Sequence, residues 1–317
     1  MRIAVLDDWQ GVATDCADWS PVGAPTVFRE SLSGDALIEA LQPFEVVVLM
    51  RERTPFPAAT IEALPNLKLI VTTGPRNAAI DVAAADRRGI PVCGTGSRLE
   101  STAQLTLALM LAGTRGLVAE TLSVRAGGWQ TGLGRDLDGL TLGVIGLGRI
   151  GARVAELARA FGMSPLAWSA NLTPERCAEA GVGHAPSLDA LLEAADVATI
   201  HLVLSDRSRG LIGAPELARM KPGALLVNTS RGPIVEEAAL ARALREGRIT
   251  AALDVYDVEP PSADHPFRDP DLIDSGRLIP TPHLGYVSRQ TYQTFWTGVV
   301  EAIAAWGAGA PIRVIRP

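Results

Sequence analysis

Along the first hundred residues, short apolar runs alternate with stretches whose apolar residues recur three and four apart. The runs at 3–6, 46–50, 69–72 and 91–93 have the length and β-branched content of buried strands, and Leu37, Ile38 and Leu41, then Ile61 and Leu64, mark the inner faces of helices between them. This alternation predicts a parallel sheet covered by helices. From Ser101 a longer pattern begins, with Leu105, Leu109 and Ala112 on one face and Gly113, Gly116, Gly127 and Gly128 loosening its far end, as expected of a helix that joins two domains. A second series follows, with strands at 141–145, 166–168, 197–202, 224–228, 251–255 and 278–281 and helices at 150–161, 188–194 and 236–246. The stretch 290–308 carries Phe295, Val299, Ile303 and Trp306 at helical spacing and is expected to pack back on the first domain. The fold class so predicted is α/β, with two doubly wound parallel-sheet domains: residues 1–100 completed by 286–317, and residues 101–285.

Composition narrows what such a chain can do. A formal charge of -6 and a pI near 5.3, without any Lys/Arg block, argue against nucleic acid or an anionic membrane as partner. A small anionic ligand would need local positive charge instead. Cys16, Cys93 and Cys177 lie far apart with no CxxC or metal-ligand spacing, and are expected to be free thiols in a reducing compartment, with no metal bound. The opening residues read as a buried strand ending in Asp7 and Asp8 rather than as a signal peptide, and no apolar run is long enough to cross a bilayer, so a cytoplasmic location is expected.

Chemistry enters with Gly146-Leu147-Gly148-Arg149-Ile150-Gly151, placed directly after an apolar strand and directly before a helix whose inner face is Ile150, Val154, Leu157, Ala158 and Phe161. In that setting Gly146 permits the tight turn, Gly148 lets backbone N–H groups approach a pyrophosphate, and Gly151 lets the helix lie close on the strand. A dinucleotide cofactor, NAD or NADP, is therefore expected. The acidic residue that usually closes the next strand and binds the ribose hydroxyls is missing: the chain there reads Trp168-Ser169-Ala170-Asn171, with no carboxylate before Glu175. Its absence removes the repulsion that would exclude a 2′-phosphate and tips the expectation toward NADP.

Ligands of doubly wound sheets sit beyond the carboxyl ends of the strands. Three predicted strands run there into polar residues: 224–228 into Thr229-Ser230-Arg231-Gly232, 251–255 into the segment ending in Glu259, and 278–281 into Pro282-His283-Leu284-Gly285. An arginine can grip a carboxylate with two parallel hydrogen bonds, and a histidine can exchange a proton near neutral pH. With a carboxylate beside the histidine, the set suits reduction of a 2-keto acid or oxidation of a 2-hydroxy acid.

Together with Met220-Lys221-Pro222-Gly223 and Leu253-Asp254-Val255, these segments resemble the D-isomer-specific 2-hydroxyacid dehydrogenases, the family of phosphoglycerate dehydrogenase and glyoxylate/hydroxypyruvate reductase, over nearly the whole chain. The resemblance implies a Rossmann dinucleotide-binding domain and a flavodoxin-like substrate domain. It implies catalysis by His283 as general acid or base, Glu259 as its partner and Arg231 on the substrate carboxylate and carbonyl. It places Gly146, Gly148, Arg149, Ile150, Gly151, Ser169, His201, Thr229 and Asp254 with the cofactor, Asp254 on the nicotinamide carboxamide. The substrate carboxylate would also meet backbone N–H groups of the loop Thr73-Gly74-Pro75-Arg76-Asn77, so that Gly74, Arg76 and Asn77 are substrate-binding candidates. Arg51, in Arg51-Glu52-Arg53-Thr54, resembles a loop that reaches a second anionic group in phosphoglycerate dehydrogenases, with Glu52 offsetting part of its field. By the same analogy the protein would be a homodimer. Of the remaining histidines, His184 is expected in a surface loop and His265 in support of the loop after Glu259. The alternative is a dinucleotide-sensing binding protein of the C-terminal-binding corepressor type. A formate dehydrogenase is disfavoured because that branch carries glutamine where Glu259 stands.

Overall fold

A parallel strand buried on both faces needs apolar side chains at every position rather than at alternate ones. Val46–Leu49 meets that demand throughout and Leu69–Thr72 up to its last residue, the buried Thr72 accepting the Asn77 side-chain N–H on its hydroxyl oxygen. The computed structural model describes residues 1–317, which divide into two units, Met1–Arg98 with Val287–Pro317, and Leu99–Tyr286.

In chain order the first unit contributes β1 (Ile3–Val5), β2 (Thr26–Val27), α1 (Gly34–Leu41), β3 (Val46–Leu49), α2 (Ala58–Glu62), β4 (Leu69–Thr72), α3 (Val82–Arg87) and β5 (Val92–Cys93). The second follows with α4 (Glu100–Thr114), α5 (Leu117–Arg125), β6 (Thr141–Ile145), α6 (Arg149–Ala160), β7 (Ser164–Trp168), α7 (Pro174–Glu179), β8 (Gly183–His184), α8 (Leu188–Ala194), β9 (Val197–Ile200), α9 (Ala214–Arg219), β10 (Leu225–Asn228), α10 (Glu237–Arg245), β11 (Thr250–Leu253), α11 (Pro270–Asp274) and β12 (Leu278–Pro280). The chain then returns to the first unit with α12 (Arg289–Gly307) and β13 (Val314–Ile315).

The first sheet has the order β13-β5-β4-β3-β1-β2, parallel throughout except for β13, which runs antiparallel to β5 at the edge. Without β13 this is the flavodoxin-like order. Helix α12 buries Tyr292, Phe295, Trp296, Val299 and Ile303 within this unit. The second sheet has the order β12-β11-β10-β9-β6-β7-β8, all parallel. Its chain order runs outward from β6 to β8, then reverses from β9 to β12, the Rossmann arrangement, with the switch point between β6 and β9. Two apolar layers cover the two faces of that sheet, one around Leu191, Leu226 and Leu244, the other around Val144, Val154 and Leu225.

Three sequence expectations change. The strand expected at 197–202 stops at Ile200, and the His201 N–H makes the last bond toward β6, to the Ile145 carbonyl at 2.8 Å. The helix beginning near Ser101 ends at Thr114, and Gly116, at φ 62°, starts α5 after a bend of 63°. His184 is not in a surface loop but in the edge strand β8, half-buried and paired in register with Ala167. Two-residue strands such as β2, β8 and β13 have no periodicity to betray them. No single helix is long and apolar enough to cross a membrane.

Candidate active site

At the switch point of the second unit, β6 ends on Ile145 and turns through Gly146 at φ 103°. A Cβ built on Gly146 would stand 2.8 Å from the His201 carbonyl oxygen, so the neighbouring β9 segment leaves no room for a side chain there. Gly148 caps α6 with open space where a Cβ would stand. At Gly151 a Cβ would run into the Gly146 carbonyl oxygen, and the missing side chain lets the helix lie against its strand. The first-turn N–H groups of a helix have no partner within it, and here they carry the partial positive charge of a twelve-residue helix. Glycine-lined approach and helix N-terminus together fit a pyrophosphate, with Arg149 exposed and Ile150 half-buried at the same turn. Ser169, just past β7, is half-buried and accepts the Leu172 N–H through its carbonyl. Arg176, the nearest arginine beyond it, is bound to Glu179 at 2.9 Å on the surface of α7.

His201 sits across the switch point, one ring nitrogen 3.0 Å from Thr199 Oγ1. Burial of the ring pushes its pKa from 6.5 down to about 4. The unfolded chain therefore takes up a proton at a pH where the folded one does not. Stability from this group is intact above about pH 7 and declines as pH falls from 6.5 toward 4. The expected loss at pH 5 is about 2 kcal/mol. Urea unfolding of the wild type and of His201→Asn at pH 7.5 and 5 would measure it, and equal acid losses in the two chains would contradict it.

The polar groups beyond β10, β11 and β12 come together for a topological reason. These strands are adjacent and in register, Asn228 opposite Leu253 and Leu253 opposite Pro280, so the segments after them leave one sheet edge side by side, about 4.8 Å apart. Gly232, next to Arg231, packs directly on the Tyr256–Asp257 peptide, where any Cβ would collide. The Tyr256 hydroxyl donates to the Thr281 carbonyl at 3.0 Å and ties the second segment to the third. Arg231 is half-buried and donates to the Ser230 carbonyl at 2.7 Å, while the Asn228 side chain holds both the Arg231 carbonyl and the Ser230 N–H. Thr229 is buried, its hydroxyl 2.9 Å from that of Thr106 on α4.

The centre of the arrangement is the contact of His283 Nδ1 with Glu259 Oε2 at 2.5 Å. Glu259 uses its other oxygen, Oε1, to accept the Tyr256 N–H at 3.0 Å, which fixes the carboxylate in place. With Nδ1 committed to the carboxylate, Nε2 is the nitrogen presented to a reacting group. His283 has φ 54°, a left-handed backbone that costs a residue of its kind about 1–3 kcal/mol. Asp254 holds it there. Its fully buried carboxylate accepts the Thr281 hydroxyl at 2.6 Å, the Leu284 N–H at 2.7 Å and the Gly285 N–H at 2.8 Å, gripping the turn on both sides of His283. Burial pushes the Asp254 carboxyl up, opposed by these donors and by His283. Asp254 was expected on the nicotinamide carboxamide; the structure gives its carboxylate the work of anchoring the histidine turn. Its position between an apolar strand and the loop could not reveal this from sequence, since the three donors lie about thirty residues away.

In the first unit, the loop after β4 departs from expectation in the same way. The Thr73 N–H goes to the Leu49 carbonyl, the Gly74 N–H to Thr95 Oγ1 at 2.6 Å, and Pro75 has none. This leaves the Arg76 and Asn77 N–H groups as donors for an anion. Gly74 has φ 88°, a backbone conformation that L side chains rarely adopt, and the Arg51 guanidinium occupies the space beside its Cα. The Asn77 side chain is buried and spent on Arg51 O, Thr72 Oγ1 and the Ala79 N–H, so it shapes the loop, whereas Arg76 is exposed. Arg51, expected on substrate, donates to the Thr73 carbonyl at 3.2 Å and pairs with Glu52 at 3.5 Å. Arg53 lies 3.9 Å over the Trp9 ring and donates to the Asp7 carbonyl at 2.6 Å.

The second unit is thus a doubly wound dinucleotide-binding domain with a histidine–carboxylate pair and an arginine at one sheet edge. A family model described as "D-isomer specific 2-hydroxyacid dehydrogenase, NAD binding domain" matches residues 107–285, and this chain belongs to that family. It is 37% identical over 295 residues to a D-3-phosphoglycerate dehydrogenase of Archaeoglobus fulgidus, covering 92% of this chain and 55% of the relative. It is 41% identical over 256 residues to a glyoxylate reductase of Aeropyrum pernix, covering 77% of this chain and 75% of the relative. A phosphoglycerate oxidoreductase from Vibrio cholerae O395 superposes with a TM-score of 0.92 at 37% identity, covering 98% of this chain and all of the other. The chain spans about half the length of the phosphoglycerate dehydrogenases it matches.

Proposed function

We propose that this protein is a nicotinamide-dependent 2-hydroxyacid dehydrogenase that works on a small 2-keto acid or its D-2-hydroxy acid. The observation that carries this reading is the 2.5 Å Glu259–His283 contact on a turn anchored by Asp254, at the carboxyl edge of a dinucleotide-binding sheet. The α6 N-terminus and Gly146, Gly148 and Gly151 would hold the cofactor pyrophosphate, with Ile150, Ser169 and His201 around it. When bound, the nicotinamide supplies or accepts the hydride at the substrate's C2.

The chain's own residues do the rest. Arg231 holds the substrate carboxylate and carbonyl and stabilises the negative charge that grows on the oxygen. His283 Nε2 delivers the proton to that oxygen in reduction and removes it in oxidation. Glu259 fixes the ring's tautomer and stabilises its positive charge.

Glu52, 3.5 Å from Arg51, offsets part of the positive field of that loop, which favours a substrate without a second anionic group. The reading is tested by steady-state reduction of glyoxylate, hydroxypyruvate, pyruvate and phosphohydroxypyruvate with NADH and with NADPH. Turnover of hydroxypyruvate or glyoxylate should exceed that of phosphohydroxypyruvate. No turnover with any of the four would overturn the assignment.

The neutral Ser169 and Asn171 favour NADP over NAD. Ser169→Asp should shift the ratio of kcat/KM values toward NADH by about tenfold, a carboxylate near a 2′-phosphate costing roughly 1.4 kcal/mol. An unchanged ratio would remove Ser169 from the ribose site.

A homodimer through the second unit is proposed on the exposed arm that follows α4. Helix α5 buries none of its residues, and Trp129 and Leu133 are 72% and 103% exposed on a loop that Glu120 ties down through Thr131 and Gly132. A preorganised apolar arm of this kind calls for a partner surface. Sedimentation should give twice the 33.4 kDa chain mass, and Trp129→Ser with Leu133→Ser should give the monomer. A reducing, cytoplasmic setting is proposed on the wide spacing of Cys16, Cys93 and Cys177 in the sequence.

A further inference from the structure

A second histidine–carboxylate pair stands behind the first. Glu237, the first residue of α10, has Oε2 3.0 Å from His265 Nε2 and accepts the Asp257 backbone N–H on Oε1 at 2.9 Å. Both side chains are mostly covered, 21% and 14% exposed. His265 is itself oriented: its Nδ1 accepts the Phe267 N–H at 3.2 Å, so the neutral ring carries its proton on Nε2 and points it at Glu237. The ring is wedged edge-on between Tyr256 and Phe267. Asp257 lies between Tyr256, whose N–H holds Glu259, and Glu259 itself. The loop's other supports are the Gly232 contact and the Tyr256 hydroxyl bond. Of these supports only the Glu237 bond is a side-chain contact to the Asp257 peptide itself.

We propose that Glu237 and His265 are positioning residues that hold the 256–259 segment, and through it the Glu259 carboxylate, in register with His283. Glu237 touches neither Glu259 nor His283; it acts through the Asp257 peptide. A carboxylate that must meet an imidazole nitrogen at 2.5 Å tolerates little drift, and reactive groups displaced by about 1 Å lose on the order of a hundredfold in rate. The other charged groups near the pair are Asp257, whose carboxyl burial pushes up, with Arg209, Arg268 and Asp264 around it.

The inference rests on Glu259 and His283 being the proton-transfer pair, and its test separates the two. Glutamine at 265 can place an N–H where Nε2 stands and keep the bond to Glu237, whereas asparagine reaches only the position of Nδ1 and keeps the bond to Phe267. His265→Gln should therefore stay within a factor of about three of wild type, while His265→Asn and Glu237→Gln lose about 10- to 100-fold in kcat with the keto-acid KM little changed. In the protein without substrate, the downfield N–H proton resonance of the short His283–Glu259 bond should persist in His265→Gln and broaden or vanish in His265→Asn. Equal kcat and an equal resonance in the two His265 variants would overturn the latch, even with a fully active wild type. Full activity of His283→Ala would instead bring down the reading of the pair, while the resonance would still report on the latch.

Discussion

His283→Ala should lower kcat by about 10²- to 10⁴-fold while leaving the dissociation constant of the reduced cofactor unchanged. The reasoning is geometric. Nδ1 is committed to Glu259 at 2.5 Å, and the turn is pinned by Asp254 through both the Leu284 and Gly285 N–H groups, so removing the imidazole deletes the proposed proton donor without releasing the loop. The cofactor motif lies at another point of the same sheet edge, on β6 and α6, and does not depend on the ring. Fluorescence titration with NADH and NADPH beside steady-state kinetics would measure both quantities. Turnover within a few fold of wild type would mean that another group moves the proton.

Arg231→Ala is expected to cost about 10²- to 10³-fold in kcat/KM, in both kcat and KM, because in the proposed role a guanidinium on both the carboxylate and the reacting oxygen acts in ground state and transition state alike. Arg231→Lys should recover only part of this, since an ammonium cannot form the two-pronged bond. The Arg231 backbone carbonyl, held by Asn228 Nδ2 at 3.0 Å, keeps its partner in either variant, so the turn itself should survive. A lysine variant equal to wild type would reduce Arg231 to a point charge, and an unaffected alanine variant would remove it from the site.

The parts of this molecule legible from sequence share one property: their physical cause is local. Val46–Leu49 reads as a buried strand because each of its residues must be apolar, and Gly146, Gly148 and Gly151 read as a cofactor turn because the turn at φ 103° and the close packing of Gly151 on the Gly146 carbonyl are set within a few residues. The ends of β10, β11 and β12 were enough to nominate Arg231, Glu259 and His283. The substrate loop was less legible. Gly74 and Asn77 stand in the expected segment, yet Gly74 is required by its φ of 88° and Asn77 is spent on Arg51 O and Thr72 Oγ1, features that periodicity does not describe.

Residue order alone determined the alternation of strands and helices, the glycine turn and the three polar strand ends, because hydrophobic period and backbone freedom are properties of a short stretch of chain. Only the tertiary structure decided what Asp254, Glu237 and His265 do. Their partners are about twenty to thirty residues away in sequence: Asp254 meets its donors because β11 and β12 run parallel side by side, and Glu237 meets His265 and the Asp257 peptide because the start of α10 packs on the segment that follows β11.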